Sequence, residues 1–191
     1  DSSPHAFHQP FANREAQPGP AIFAGGRDVL LLEGLKETGS LQTLKKVLGT
    51  LYGRRMNSTS VLQYLAGEDE VSQKRRMQVV KRLEKFIWKH MAKFPKESGR
   101  QMLLFDAYTH VAQSSAGLTR LTKVLDGKEK LHGWTIDQDR RWDIVTRLSR
   151  YGAPDATQRI AQEVKRDNSS RGEKSAIAAR VIANSWDAKK S

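Results

Sequence analysis

The sequence predicts an all-α fold, an α-solenoid of stacked antiparallel helix pairs of the HEAT/armadillo kind. Three observations carry that expectation. From Asp28 onward apolar residues recur at three- and four-residue steps over stretches of helix length. These stretches stop at glycine or proline and are joined by short connections, which sets successive helices antiparallel. No strand-like alternation competes. The composition, 38% hydrophobic and 28% charged, suits helices with one buried stripe and one wet face better than a large sheet core. No strict repeat is present, so the stacked-pair arrangement rests on helix and loop lengths.

Residues 1–27 hold four of the six prolines and the Gly25-Gly26 pair, and read as an irregular arm or linker. Residues 28–191 read as one helical-repeat domain. Asp28 to Lys36 is a short apolar segment whose state the pattern leaves open. Ser40 is a suitable N-cap for a helix bearing Leu41, Leu44, Val47, Leu48 and Leu51, stopped by Gly53. A helix over Asn57–Ala66 follows, closed by Gly67. The longest runs from about Val71 to Phe94, with Val80, Leu83, Ile87 and Met91 inward and Pro95 as its end. Next come helices from Gly99 or Arg100 to about Ser114, and from Ala116 to Leu125, the latter stopped by Asp126-Gly127. A loop to Trp134 leads into Asp137–Tyr151, with Trp142, Val145 and Leu148 inward and Gly152 as its stop. Pro154 suits the first turn of a helix reaching Arg166. Ser170 and Glu173 fit a capping box opening the last helix, through Asn184.

The chain begins at Asp1, without the basic-then-apolar start of a signal peptide, so a processed chain or a piece of a longer protein is expected. The aliphatic run at Leu30-Leu31-Leu32 is far short of the ~20 residues that span a bilayer, and no membrane partner is expected. Cysteine is absent, which removes disulfides, thiol nucleophiles and thiolate metal sites and leaves the compartment undetermined.

No catalytic or metal-ligating set is predicted. The five histidines (His5, His8, His90, His110 and His132) never fall in H-E-x-x-H, and no G-x-S-x-G elbow or phosphate-binding loop occurs. His110, near an apolar stripe, reads as a hydrogen-bonded, half-buried side chain. Asp137 and Asp139 are close enough for acid–base or metal work, but a helix N-terminus favours acids through its dipole, so capping is the plainer account.

The sharpest local feature is basic. Between Lys74 and Lys93 lie Lys74, Arg75, Arg76, Lys81, Arg82, Lys85, Lys89 and Lys93, with Glu84 the lone acid and most of the cations opposite the apolar stripe, within a chain of net charge +12. Three accounts fit: a solvated outer face, a surface following nucleic-acid phosphates, or a face for an acidic protein. No nucleic-acid-binding motif supports the second.

The second half carries an ordered pattern. Leu125-Asp126-Gly127 precedes Gly133-Trp134-Thr135-Ile136, and Asp137-Gln138-Asp139-Arg140-Arg141-Trp142 opens a helix. Tyr151-Gly152-Ala153, Ala161-Gln162-Glu163, Arg166-Asp167, Arg171-Gly172 and Ala188-Lys189 follow. This resembles the C-terminal helical domain of bacterial aminopeptidase N-type enzymes, a class also found in endoplasmic-reticulum and puromycin-sensitive aminopeptidases. One departure is Arg140, where the family usually has an apolar residue.

The resemblance implies an α-solenoid that packs on the catalytic domain of the same protein and walls a chamber for peptide substrates. It implies a parent zinc enzyme whose metal is held elsewhere, by H-E-x-x-H and a further glutamate. Neither that motif nor the family's G-x-M-E-N loop is present here, so no cofactor is expected in this chain. About a hundred more helical residues usually follow in the family, which implies a fragment or a shortened relative. On this reading Asp137, Arg141 and Trp142 are structural or chamber-lining candidates, with Arg141 paired to Asp137. The alternative function is a stand-alone basic module binding nucleic acid or an acidic protein.

Overall fold

A computed structural model describes residues 40–52, 62, 67–95, 98–129, 131 and 134–187. Seven α-helices lie among them: α1 (Leu41–Tyr52), α2 (Glu70–Met91), α3 (Gly99–Val111), α4 (Ser115–Leu125), α5 (Gln138–Arg150), α6 (Ala156–Arg166) and α7 (Ser170–Asp187). There is no strand among the described residues, and Leu131 and Trp134 form an isolated antiparallel bridge. The described residues form an all-α structure. The arm and linker at 1–27, the segment Asp28–Lys36 and most of the helix expected at Asn57–Ala66 lie outside the described residues.

Side-chain caps set most helix starts. Ser40 Oγ accepts from the Thr43 N–H at 3.1 Å, Asp69 from Ser72 at 2.8 Å, and Ser98 from Gln101 at 3.2 Å. Each satisfies an N–H group that the helix leaves orphaned. The cap of α7 is Ser169 rather than Ser170: its hydroxyl accepts from the Gly172 N–H at 3.1 Å. Pro154 is not in the first turn of α6 either. It is the second residue of a β-turn closed by the Ala156 N–H donating to the Ala153 carbonyl at 3.0 Å, a position that suits the fixed φ of proline.

Two helices end on left-handed glycines, Gly127 (φ 70°) and Gly152 (φ 65°). After α4, Gly127 N–H bonds the Val124 carbonyl at 3.0 Å and Lys128 N–H the Lys123 carbonyl at 2.8 Å. After α5, Gly152 and Ala153 repeat the pair on Ser149 and Leu148, at 3.2 and 3.0 Å. These paired bonds satisfy the last carbonyls of the helix and need a backbone that L-residues adopt at a cost.

Among the described helices the main contacts are α1 and α2 on α3, α3 on α5, α4 on α5, α5 on α6, and both α5 and α6 on α7. The core runs continuously from Leu44 and Leu48 through Val80, Ile87 and Met91, Phe105 and Tyr108, Leu121, Ile144 and Leu148 to Ile160 and Ala179. Helix α5 is central to the second half because Trp142, Val145 and Leu148 are all buried, as their spacing predicts.

Candidate functional site

Two carboxylates on apolar stripes organise the polar interior. Glu84 shares a face of α2 with Val80, Leu83, Ile87 and Met91, and is 5% exposed. It reaches the α3–α4 junction and accepts from the Gln113 N–H at 2.9 Å, the Ser114 N–H at 3.0 Å and the Ser114 hydroxyl. Ser114 is itself the N-cap of α4, its oxygen accepting from the Gly117 N–H at 3.0 Å. A helix start presents unpaired N–H groups and the positive end of its dipole, so a carboxylate is favourable there. Gly117 makes the approach possible, because a β-carbon on it would stand 2.5 Å from Glu84 Oε1. From α5, Arg147 Nε donates to the Ala112 carbonyl at 2.7 Å, and burial draws the Arg147 pKa down to about 10. The link Ala112–Ser114 is thus held by α2 through its N–H groups and by α5 through a carbonyl.

Glu163 is the second, 3% exposed on the face of α6 that also buries Ala156 and Ile160. Arg141 grips it with two parallel bonds, Nε to Oε1 and Nη2 to Oε2, both 2.8 Å, the fork geometry that makes such pairs strong. Gln138 Nε2 adds a bond of 2.7 Å, and Arg141 Nη1 donates to the Leu125 carbonyl at the end of α4 at 3.2 Å. Burial pushes the Glu163 pKa up, but the bonds from Arg141 and Gln138 and the charge of Arg141 more than offset it, and the net direction is down. Nearby, Arg159 spans both oxygens of Asp126 (2.6 and 3.3 Å) and reaches Asp155 at 2.6 Å. The Arg159 hydrogen bonds hold the Asp126 carboxyl below its ordinary value. Asp126, Arg141, Arg159, Glu163 and Arg166 line a cleft of about 210 Å³.

The expected pairing of Arg141 with Asp137 is therefore corrected. Asp137 serves Arg140 instead: one oxygen accepts from the Arg140 N–H at 2.9 Å and caps α5, and the other pairs with the Arg140 guanidinium. Arg141 faces α4 and α6, where a buried carboxylate requires a cation. Arg140, the departure from the family pattern, also forks onto Asp106 of α3 at 2.6 and 3.1 Å and lies over the Trp134 ring, 5.5 Å from its centroid. Trp142 is buried and donates through Nε1 to Asp167 Oδ2 at 2.8 Å, tying α5 to the α6–α7 link. Asp139 lies apart from Asp137 chemically, paired with Arg171 at 2.8 Å on the surface.

On α2, Lys74, Arg75, Lys81, Arg82, Lys85 and Lys89 are exposed, as is Lys93 just beyond its end, whereas Arg76 is half-buried. His110 is exposed rather than half-buried, with Nδ1 2.7 Å from the Asp106 carbonyl, and His90 stacks on Phe86 at 3.8 Å. The remaining histidines lie outside the described residues. No three His, Asp or Glu side chains among the described residues gather as metal ligands. No described helix is long and apolar enough to cross a membrane.

Sequence reasoning gave Glu84, Ser114, Arg147 and Glu163 no role as site residues. Both carboxylates could have been found as acids standing on the apolar stripe of their own helices.

The fold and the polar network define an all-helical scaffold. Comparison with models of known protein families finds no match. Over 84 residues, 44% of this chain, the sequence is 32% identical to aminopeptidase N of Streptomyces lividans. The matched stretch spans only 10% of that protein's length. This likeness links the chain to the aminopeptidase N family over less than half of its residues.

Proposed function

We propose that this chain is the non-catalytic C-terminal helical domain of a zinc-dependent aminopeptidase, built as an α-solenoid of stacked helix pairs. In this reading it packs on a catalytic domain of the same protein and shapes the chamber in which peptide substrates lie. The observation that carries it is the 32% identity over 84 residues to the Streptomyces lividans aminopeptidase N. The main contacts among the described helices join elements close in sequence, which supports the solenoid. The chain's own part is mechanical. Arg141 and Glu163 lock α5 to α6, Arg141 ties both to the end of α4, and Trp142 anchors the next link, giving a rigid wall.

The test is a graft. The matched 84-residue stretch of the Streptomyces lividans enzyme is replaced by its counterpart from this chain, and hydrolysis of an aminoacyl p-nitroanilide is followed. A folded chimaera that retains hydrolysis supports the reading. A chimaera that folds with zinc bound yet has lost hydrolysis refutes it, as does robust turnover by this chain alone with added zinc.

A further inference from the structure

The face of α2 turned to solvent is strongly basic, with Lys74, Arg75, Lys81, Arg82, Lys85 and Lys89 all exposed. At about 100° per residue, Lys74, Arg75, Lys81, Arg82, Lys85 and Lys89 fall within an arc of roughly 120°. From Lys74 to Lys89 they extend about 22 Å at 1.5 Å per residue. The one acid of the segment, Glu84, is turned inward and committed to the α3–α4 junction, so it neutralises nothing outside. Elsewhere arginines are matched to acids, as Arg140 is to Asp106, Arg141 to Glu163 and Arg159 to Asp126. None of the six cations on α2 has an acidic partner among the described residues.

We propose that this stripe binds the phosphate backbone of duplex nucleic acid without reading its sequence. A regular helix holds cations four residues apart at about 6 Å along its axis, so the stripe can meet several phosphates of a duplex that carries one charge per ~3.4 Å on each strand. Four of the six are lysines, which protein–protein interfaces disfavour, whereas nucleic-acid interfaces are strongly basic. The apolar side of α2, with Val80, Leu83, Ile87 and Met91, is sealed in the core, which removes the buried face an amphipathic helix needs to lie in a membrane. The aromatic residues of α2, Phe86 and Trp88, are part-buried and engaged with His90 and with Tyr108 and Arg120, so the stripe offers no platform for unstacked bases. This binding is independent of the aminopeptidase reading.

The experiment titrates the full chain into a fluorescein-labelled 20-base-pair DNA of arbitrary sequence, by anisotropy, between 50 and 300 mM NaCl. Binding should be micromolar at about 100 mM salt and weaken steeply as salt rises, because each neutralised phosphate releases counterions. The triple variant K81Q/K85Q/K89Q should lose at least ~10-fold in affinity at 100 mM, with a log–log salt slope shallower by about 2.7. An equal charge change elsewhere, K123Q/K165Q/K174Q at exposed positions, should leave affinity within about 3-fold of the parent. Circular dichroism and thermal melts establish that both variants fold. No binding at 50 mM NaCl, equal losses in the two triple variants, or tighter binding to poly-glutamate of matched charge would each overturn the proposal, the last in favour of an acidic protein.

Discussion

Replacing Glu84 by alanine removes the acceptor for two buried backbone N–H groups and one buried hydroxyl at the start of α4. A buried donor left unsatisfied costs about 1–3 kcal/mol, and hydrogen bonds to a charged group contribute about 1.5–3 kcal/mol each. Water entering the vacated space recovers part of that, and the three bonds are not additive. The expected loss is about 3 kcal/mol, a fall in Tm of roughly 6–12 °C for a chain of this size. Glu84→Gln keeps one oxygen for the two N–H groups, but the Ser114 hydroxyl, already accepting from Gly117, loses the oxygen it donates to. It should cost about 1–2 kcal/mol. Gly117 supplies the decisive control. In the parent chain Gly117→Ala pushes a methyl group into the carboxylate, so it should destabilise by about 1–3 kcal/mol. Once Glu84 is alanine the methyl has room, and the higher helix propensity of alanine should make the same change neutral or stabilising by up to ~1 kcal/mol. Urea unfolding of the four chains, followed by circular dichroism, measures the cycle. A Glu84→Ala chain within 0.5 kcal/mol of the parent, or an unchanged effect of Gly117→Ala in both backgrounds, refutes the reasoning.

Two further outcomes follow from the α5–α6 clamp. Arg141→Ala leaves Glu163 buried with Gln138 as its main donor and frees the Leu125 carbonyl, so urea denaturation should show a loss of about 3 kcal/mol. A loss under 1 kcal/mol would show that Glu163 does not depend on Arg141 for compensation of its buried charge. The second concerns pH. The folded-state pKa values of Glu163 and Asp126 lie below their ordinary values of 4.5 and 3.8, so the unfolded chain binds protons first as pH falls. Their contribution is complete above about pH 5 and is lost as pH drops through the folded values. Between pH 5 and 2 the stability of the parent should therefore fall more steeply than that of Glu163→Gln, as measured by denaturant midpoints. Parallel acid limbs would contradict the assignment.

Helix limits were largely legible because capping is local. Ser40 and Asp137 act within three residues of themselves, and Gly127 and Gly152 within five, so short stretches of sequence carry the information. The errors were equally local and small: Ser169 displaces Ser170, and Pro154 sits in a turn ahead of α6. The inward set Trp142, Val145 and Leu148 followed from periodicity alone. The basic face of α2 was also visible in the spacing of its lysines and arginines.

What the sequence by itself determined is the helical class of the described residues, most boundaries of the described helices and the buried stripes of α2 and α5, because those depend on residues three or four positions apart. Only the tertiary structure decided which polar groups meet. Glu84 stands 30 positions from Ser114 and Arg141 stands 22 from Glu163. Those meetings depend on how α2 lies against the α3–α4 junction and how α5 crosses α6, and no local rule specifies either. Arg141 has an acid one turn behind it and takes the distant one, because a buried carboxylate gains more from a cation than an exposed one does.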